Sequence, residues 1–251
     1  MFSGRQARDF AIQSSHSSIR FTRQIIVPTL GIIMLDTSFA RPLGDAGNAA
    51  SWPFPVLIER VAGAFAEPVV TGQFANVLPF VEAGRKLVQQ GAIALTTTCG
   101  FLVRYQRQLQ SEFTVPVLTS TLTQFARLQA ALKVERIAIL TIDAPALDAA
   151  VRAVAAIPVN ALVFALPRDS HFVSAIFGGI VPLAIDKAEA EWVNLALNCQ
   201  REHPDIGLWL FECANMPPYA AAITRATGRP VYDALTLGHE LFAAASAATM
   251  A

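Results

Sequence analysis

The sequence predicts an α/β protein in which parallel sheets are covered by helices on both faces. From residue 25 onward, short apolar segments alternate with segments of helical period. The apolar segments lack the polar alternation of half-exposed strands, which is typical of parallel strands buried on both faces. Apolar residues make up 53% of the chain and charged residues only 15%, so the chain can bury a large core. Its 251 residues suit either one large α/β unit or two small lobes.

The first half of the chain alternates strands and helices around one long loop, which spans residues 36–53 and is rich in Gly and Pro. Gly91 is a C-terminal stop signal for the second helix of this half. The predicted strands are the last part of 24–35, then 67–73, the first part of 92–100, and 116–120. The predicted helices are 55–66, 76–91 and 101–113.

The second half repeats the same rhythm. Pro145 falls near the first turn of a predicted helix, where a proline is tolerated. Gly178, Gly179 and Pro182 break a long helical region. The predicted strands are 136–143, 161–167, the first part of 206–216, and 230–234. The predicted helices are 122–134, 144–157, 171–204, 217–228 and 237–248.

Charge and motifs argue against several classes of function. The 19 basic and 19 acidic residues cancel, so electrostatics gives no reason to expect nucleic acid or an anionic membrane as partner. The chain has no G-x-S-x-G elbow and no G-x-G-x-x-G after a strand, which disfavours a serine hydrolase and a dinucleotide site. Its apolar stretches are interrupted before the ~20 residues of a membrane span. We expect a small-molecule substrate, and the oligomeric state stays open.

Residues 1–24 lack the apolar segment of a secretory signal, and we expect a loosely ordered extension. The cysteines Cys99, Cys199 and Cys213 are odd in number and irregularly spaced, which makes a poor disulfide framework. Their spacing also does not suit a zinc site, so we expect no bound metal. These features favour a reducing, cytoplasmic location.

Cys99 and Cys213 occupy similar sequence contexts. Each follows an apolar strand, in LTTTCGF and LFECANM, and each is followed by small residues that open the next helix. Ligands of parallel sheets bind at the carboxyl ends of the strands, which is where both thiols fall. The start of a helix favours a thiolate and can also hold a carboxylate. One such cysteine lies in each half of the chain, which suggests a structural duplication.

Two interpretations of this pair remain open. The cysteines are either small apolar residues of the core or two thiols that face one pocket. In the second case one thiolate removes a proton next to a carboxylate, and the opposite thiol supplies a proton to the other face. Cys199 lies late in a predicted helix and is expected in the core, whereas period-2 alternation directs Glu212 to the side opposite Cys213. Hydroxyls near the strand ends come from Thr96, Thr97, Thr98, Ser120 and Thr121.

Three segments, 31–48, 96–101 and 212–220, make the chain resemble the aspartate/glutamate racemase superfamily, which also holds hydantoin racemases, maleate isomerases and arylmalonate decarboxylases. The resemblance implies two pseudo-symmetric α/β lobes, each a mostly parallel sheet flanked by helices, with the active site in the cleft between them. It implies no pyridoxal phosphate, no other cofactor and no metal, and it makes Cys99 and Cys213 the two acid/base residues. The implied lobes are 25–118 with 230–251, and 119–229.

The chain also departs from the glutamate racemase pattern of that superfamily. The motifs Asp-Ser-Gly, Cys-Asn-Thr and Cys-Thr-His of those enzymes are replaced by 36–38 (DTS), 99–101 (CGF) and 213–215 (CAN). Arylmalonate decarboxylases keep only the second cysteine. The presence of both therefore favours racemisation or isomerisation over decarboxylation.

The resemblance predicts a cofactor-independent racemase or isomerase that inverts the α-carbon of a small, aspartate- or glutamate-like carboxylate. Arg41 would pair with a second carboxylate of the substrate, unless it is a surface loop residue, and Asp36 would cover the pocket unless it caps a turn. The alternatives are a maleate-type cis–trans isomerase with a nucleophilic cysteine, a hydantoin racemase, a decarboxylase, or a non-catalytic ligand-binding relative. The predicted substrate-binding residues are Asp36, Arg41, Thr98, Gly100, Thr121, Ala214 and Asn215.

Overall fold

The structure is a computed structural model that describes residues 27–132, 136–179 and 182–250. The extension predicted for residues 1–24 lies outside the described residues. Among the helices of the described part, none is long and apolar enough to cross a membrane.

The described residues form two four-stranded parallel sheets with the same strand order. The first sheet has the order β2-β1-β3-β4 and the second has the order β6-β5-β7-β8. This repetition confirms the predicted α/β architecture of two similar lobes. The strands are β1 (Thr29–Leu35), β2 (Val56–Val61), β3 (Ala92–Thr97), β4 (Val117–Leu118), β5 (Arg136–Thr141), β6 (Leu162–Ala165), β7 (Ile206–Phe211) and β8 (Val231–Tyr232).

Helices cover the first sheet on both faces, as the apolar strands predicted. Leu30 and Ile32 of β1 pack with the last helix, whereas Ile33 belongs to a cluster with Leu87 on the other face. That second cluster continues into the core of the second sheet, so the two lobes share one core. The helices are α1 (Ala66–Val70), α2 (Leu78–Gln89), α3 (Gln106–Ser111), α4 (Phe125–Leu132), α5 (Ala149–Ala155), α6 (His171–Gly178), α7 (Ile185–Glu202), α8 (Ala220–Thr227) and α9 (Ala234–Met250).

Two predicted elements of the first lobe exchange their types. Residues 55–66 were predicted as a helix but contain strand β2, which pairs with β1 from Val56 to Val61. Residues 67–73 were predicted as a strand but contribute to helix α1. Strand β2 is a half-buried edge strand, and the spacing of its apolar residues fits a helical period as well as a strand. In α1, Pro68 is accommodated because it lies in the first helical turn.

Two boundaries also differ from the prediction. Helix α5 begins at Ala149, after Asp148 caps it by accepting the N–H of Val151 at 2.8 Å, whereas the prediction began it at 144. Strand β8 pairs with β7, and α9 then packs against the first sheet. The chain therefore returns to the first lobe after Tyr232, and not at residue 230.

Candidate active site

The two strand-end cysteines hold equivalent positions in the two lobes. Cys99 follows β3 and Cys213 follows β7, each two residues beyond the last strand residue. The residue before each cysteine, Thr98 or Glu212, donates its backbone N–H to a carbonyl of the first strand in its own sheet, at 3.0 and 2.9 Å. Because these bonds repeat, the two cysteine turns leave their sheets at equivalent points.

Both cysteines are buried: 5% of Cys99 and 6% of Cys213 is exposed to solvent. The two thiols are close enough for charge on Cys99 to raise the pKa of Cys213. The backbone N–H groups of Phe101 and Leu102 donate to the Cys99 sulfur and lower its pKa, as a helix-start position predicts. Burial outweighs them and raises the pKa of Cys99 to about 12, and burial raises that of Cys213 as well. Both thiols are therefore protonated at neutral pH in this buried setting.

A hydrogen-bonded network connects Cys213 to the long loop of the first lobe. The Cys213 Sγ donates to Asn215 Oδ1 at 3.5 Å, and Asn215 Nδ2 donates to Asp45 Oδ2 at 2.7 Å. The other oxygen of Asp45 accepts from Arg41 and from the Gly47 N–H, at 2.8 and 2.7 Å. Both the oxygen and the nitrogen of the Asn215 amide thus make a hydrogen bond, which holds the amide beside the thiol.

Asp45 is fully buried and lies at the centre of this network, although it was not among the predicted site residues. The signal that could have found it is an acidic residue inside a Gly-rich loop that follows the first strand. The same loop reaches the second lobe through its backbone, since the Ala46 N–H donates to the Ala214 carbonyl at 3.1 Å. The loop of one lobe therefore holds the cysteine turn of the other.

Glu212 lies between the two cysteine turns. Only 2% of it is exposed, and its Oε2 accepts the Thr141 hydroxyl at 2.9 Å. Its carboxylate also accepts the Gly100 N–H, and a Cβ at residue 100 would overlap a carboxylate oxygen and the backbone carbonyl of Glu212. Glycine is therefore required beside Cys99 so that a carboxyl group from the second lobe can reach it.

Three of the predicted substrate-binding residues, Thr98, Thr121 and Arg41, use their side chains for hydrogen bonds to other residues of the protein. Thr98 Oγ1 accepts the Leu35 N–H at 3.1 Å, and Thr121 Oγ1 donates to the Phe211 carbonyl at 2.6 Å. These hydroxyls hold strand ends in place around the thiols. Arg41 is already paired with Asp45, and its second nitrogen donates to a loop hydroxyl.

Asp36 follows β1 and takes the turn-capping role, one of the two that the sequence left open. Its carboxylate accepts the Gly63 N–H at 2.8 Å, which caps a turn. It also lines a cavity of about 230 Å³ between the two lobes. The lining residues are Asp36, Thr37, Ser38, Phe39, Phe65, Ala66 and Ile176–Gly179.

Tyr219 is a candidate site residue that no sequence pattern indicates. It is fully buried, and among the described residues its hydroxyl has no hydrogen-bond partner. Burial raises the pKa of Tyr219, and charges on Asp45 and Cys213 add to this effect, which places the phenol close to the network. An unpaired buried hydroxyl beside a thiol is a candidate contact for a ligand.

Cys199 lies apart from the other two thiols. It is buried on α7 among core residues, and burial together with Glu202 raises its pKa to about 11. In the described part of the chain, no group of His, Cys, Asp and Glu side chains is arranged to hold a metal ion.

Comparisons with solved structures identify the fold. Arylmalonate decarboxylase aligns with a TM-score of 0.59 and 18% identity, over 87% of this chain and 92% of the other. A Francisella tularensis glutamate racemase with D-glutamate gives 0.54 and 15%, over 90% and 84%. An allantoin racemase from Pseudomonas fluorescens gives 0.56 and 17%, over 88% and 91%.

The curated proteins that are similar in sequence are named for a different activity from that of the structural neighbours. The chain is 28% identical over 221 residues to a dimethylsulfoniopropionate lyase from Durusdinium sp. clade D, with 82% of this chain and 71% of the relative covered. It is 28% identical over 237 residues to dimethylsulfoniopropionate lyase 6 of Emiliania huxleyi, covering 86% of this chain and 59% of that protein. No protein-family model matches the chain. With the two repeated sheets, the structural neighbours show that the chain shares the two-lobed α/β fold of the arylmalonate decarboxylase and glutamate racemase structures.

Proposed function

We propose that the chain is a cofactor-independent enzyme that removes a proton from the carbon next to the carboxylate of a small substrate. The observation that carries this proposal is the pair of buried thiols at equivalent strand ends, near enough that charge on Cys99 raises the pKa of Cys213. A thiolate of Cys99 or Cys213 takes the proton, and nearby N–H groups stabilise the charge that develops on the substrate.

The sequence relatives suggest that this proton transfer starts an elimination. In dimethylsulfoniopropionate, the proton next to the carboxylate lies one carbon from a sulfonium leaving group. The thiolate takes the proton, the C–H electron pair forms a C=C bond, and the C–S bond breaks. Neutral dimethyl sulfide and acrylate result, and the thiol then returns its proton to water. We therefore propose β-elimination from a small carboxylate with a cationic leaving group.

The charges around the thiols support such a substrate over a dicarboxylate. Besides burial, Glu212 and Asp45 both raise the pKa of Cys213. The cations nearest to the thiols, Arg41 and Arg104, are already paired with Asp45 and Asp148. A sulfonium or ammonium carboxylate brings no net charge, whereas aspartate or glutamate brings a second carboxylate into an anionic site.

Racemisation of an aspartate- or glutamate-like carboxylate is the second candidate. The equivalent placement of Cys99 and Cys213 in two similar lobes favours it, because inversion needs one acid/base group on each face of the carbon. In both reactions the predicted substrate-binding residues surround the substrate, and Asn215 and the N–H groups that follow Cys99 lie nearest to its carboxylate. Thr98 and Thr121 support the strand ends, Arg41 and Ala214 support the loop, and Asp36 lines the cavity between the lobes.

The test is a substrate panel in deuterium oxide, followed by NMR and by gas chromatography of the headspace. We expect dimethylsulfoniopropionate to yield dimethyl sulfide and acrylate. Deuterium entering the α-carbon of aspartate, glutamate or a hydantoin without elimination would instead support racemisation. Turnover that Cys99→Ser and Cys213→Ser both leave at the full rate would contradict both proposals.

A further inference from the structure

Glu212 is a buried carboxyl group that the proposed mechanism does not use. It immediately precedes Cys213, and its side chain crosses from the second lobe to the backbone of Gly100 in the first. Thr141 Oγ1 donates to it at 2.9 Å, and the Ile142 N–H approaches the same oxygen at 3.5 Å. This side chain is therefore fixed between the two cysteine turns.

No cation neutralises Glu212 among the described residues, in which every assigned salt bridge involves other groups. Burial raises the pKa of Glu212 to about 7, and the charge of Asp143 adds to the effect. Hydrogen bonds from Thr141, Ile142 and Gly100 lower this pKa but do not outweigh burial. The carboxyl group therefore changes its charge near neutral pH.

The charge on Glu212 reaches both thiols. It is the largest cause after burial of the raised pKa of Cys99 and of Cys213. The other charged groups that act on the thiols are Arg104, which lowers the pKa of Cys99, and Asp45, which raises that of Cys213.

We propose that Glu212 is a positioning residue whose carboxylate, held between the two cysteine turns, disfavours a thiolate at Cys99 and at Cys213, so that loss of its charge eases proton removal from both thiols. This proposal deepens the proposed function and rests on the two thiols being its acid/base groups. It accounts for the glycine at position 100, since a Cβ there would overlap the carboxyl group and the backbone carbonyl of Glu212. The equivalent position in the first lobe holds Thr98, which carries no charge.

The test is Glu212→Gln, with thiolate formation followed against pH by ultraviolet absorbance in variants that retain one cysteine at a time. We expect the titration midpoints of Cys99 and Cys213 to move to lower pH by about one unit, so that the thiolate fraction below the midpoint rises about tenfold. The midpoint of Cys199 should stay unchanged. A purely structural role for Glu212 would move none of these midpoints.

Glu202→Gln is the matched control. Glu202 raises the pKa of Cys199 on α7, so its replacement should shift Cys199 and leave the other two thiols unchanged. Equal midpoints for Cys99 and Cys213 in the wild type and in folded Glu212→Gln would overturn the proposal. If Glu212→Gln does not fold, Glu212→Asp keeps the acid but withdraws it from Gly100, and an unchanged Cys99 midpoint in that variant would be equally decisive.

The titration uses no substrate, which separates this inference from the proposed function. Shifted midpoints in a protein that turns over nothing in the panel would support the charge coupling and contradict the proposed activity. Where turnover is measurable, the pH–rate profile of Glu212→Gln should rise at lower pH than that of the wild type. An identical profile would contradict the coupling in the working enzyme.

Discussion

At the residue scale, Asn215 joins the Cys213 thiol to the Asp45 carboxylate through the two ends of one amide. The oxygen end accepts the thiol proton, so this contact favours the protonated form of Cys213. A substrate carboxylate or leaving group that displaces the Asn215 oxygen would free the thiol. Substrate binding and thiol activation are then connected at this residue.

Replacing either strand-end thiol should reduce turnover strongly. A serine hydroxyl at position 99 or 213 has a far higher pKa than a thiol, so we expect the rate to fall about 10²- to 10⁴-fold for each. Cys199→Ser is the control and should retain the wild-type rate, because that thiol lies in the α7 core. Initial rates on the substrate identified by the panel would measure the effect, and a fast Cys99→Ser enzyme would restrict the chemistry to Cys213.

Removing the unpaired hydroxyl of Tyr219 should weaken substrate binding without destabilising the fold. The hydroxyl has no partner to lose among the described residues, and a hydrogen bond to a charged ligand is worth about 1.5–3 kcal/mol. We expect Tyr219→Phe to raise KM about tenfold at unchanged Tm. Tyr232→Phe is the control, since its hydroxyl bonds Glu240 at 2.6 Å and should affect Tm but not KM. An unchanged KM in Tyr219→Phe would exclude the substrate contact.

At the element scale, the loop after β1 acts as a strap that spans the two lobes. Its network includes an ion pair in which the Arg41 side chain is 10% exposed and the Asp45 side chain is fully buried. Its backbone also binds the turn that carries Cys213. The loop sequence thus shapes the site through its own internal bonds.

Breaking this buried pair should destabilise the protein and disturb the site together. Asp45→Asn leaves the Arg41 guanidinium buried without a counter-charge, and we expect a loss of about 3 kcal/mol in the free energy of unfolding, with a raised KM. Glu112→Gln is the control, because it breaks the exposed Arg85 pair and should cost less than about 1 kcal/mol. Urea unfolding would measure both, and equal losses in the two variants would argue against the strap.

The elements differ in how far the sequence predicts them. Fully apolar runs such as β3 and β7 are predicted correctly, because both faces of these strands are buried. The edge strand β2 is mistaken for a helix because it is only partly buried. The strand-end cysteines follow from the pattern, but the bond between Asp45 and Asn215 joins residues 170 positions apart, which no local pattern reveals.

At the scale of the whole molecule, Glu212 makes stability depend on pH. Its pKa is about 7 in the folded protein against an ordinary value of 4.5, so between these values the unfolded chain is ionised there while the folded protein keeps its proton. Stability from this group is therefore greatest at the acidic end and falls as pH rises to about 7, by about 3 kcal/mol in total.

Urea unfolding across that pH window tests this effect. We expect the wild type to lose stability with rising pH and Glu212→Gln to show a flatter dependence, with Asp233, whose pKa burial also raises, accounting for part of the remaining slope. Parallel curves for the two proteins would show that the Glu212 charge is not the cause.

Thr98 and Glu212 hold equivalent positions in the two lobes, and the difference between them bears on whether the reaction is reversible. A racemase runs two half-reactions that are mirror images, and two identical lobes would treat them alike. This carboxyl group raises the pKa of both thiols but comes from one lobe only, so the two thiols have different surroundings. That difference burdens a reaction that must run equally well both ways. It suits a one-way reaction, in which one thiol takes a proton, the product departs, and nothing has to be restored on the opposite face.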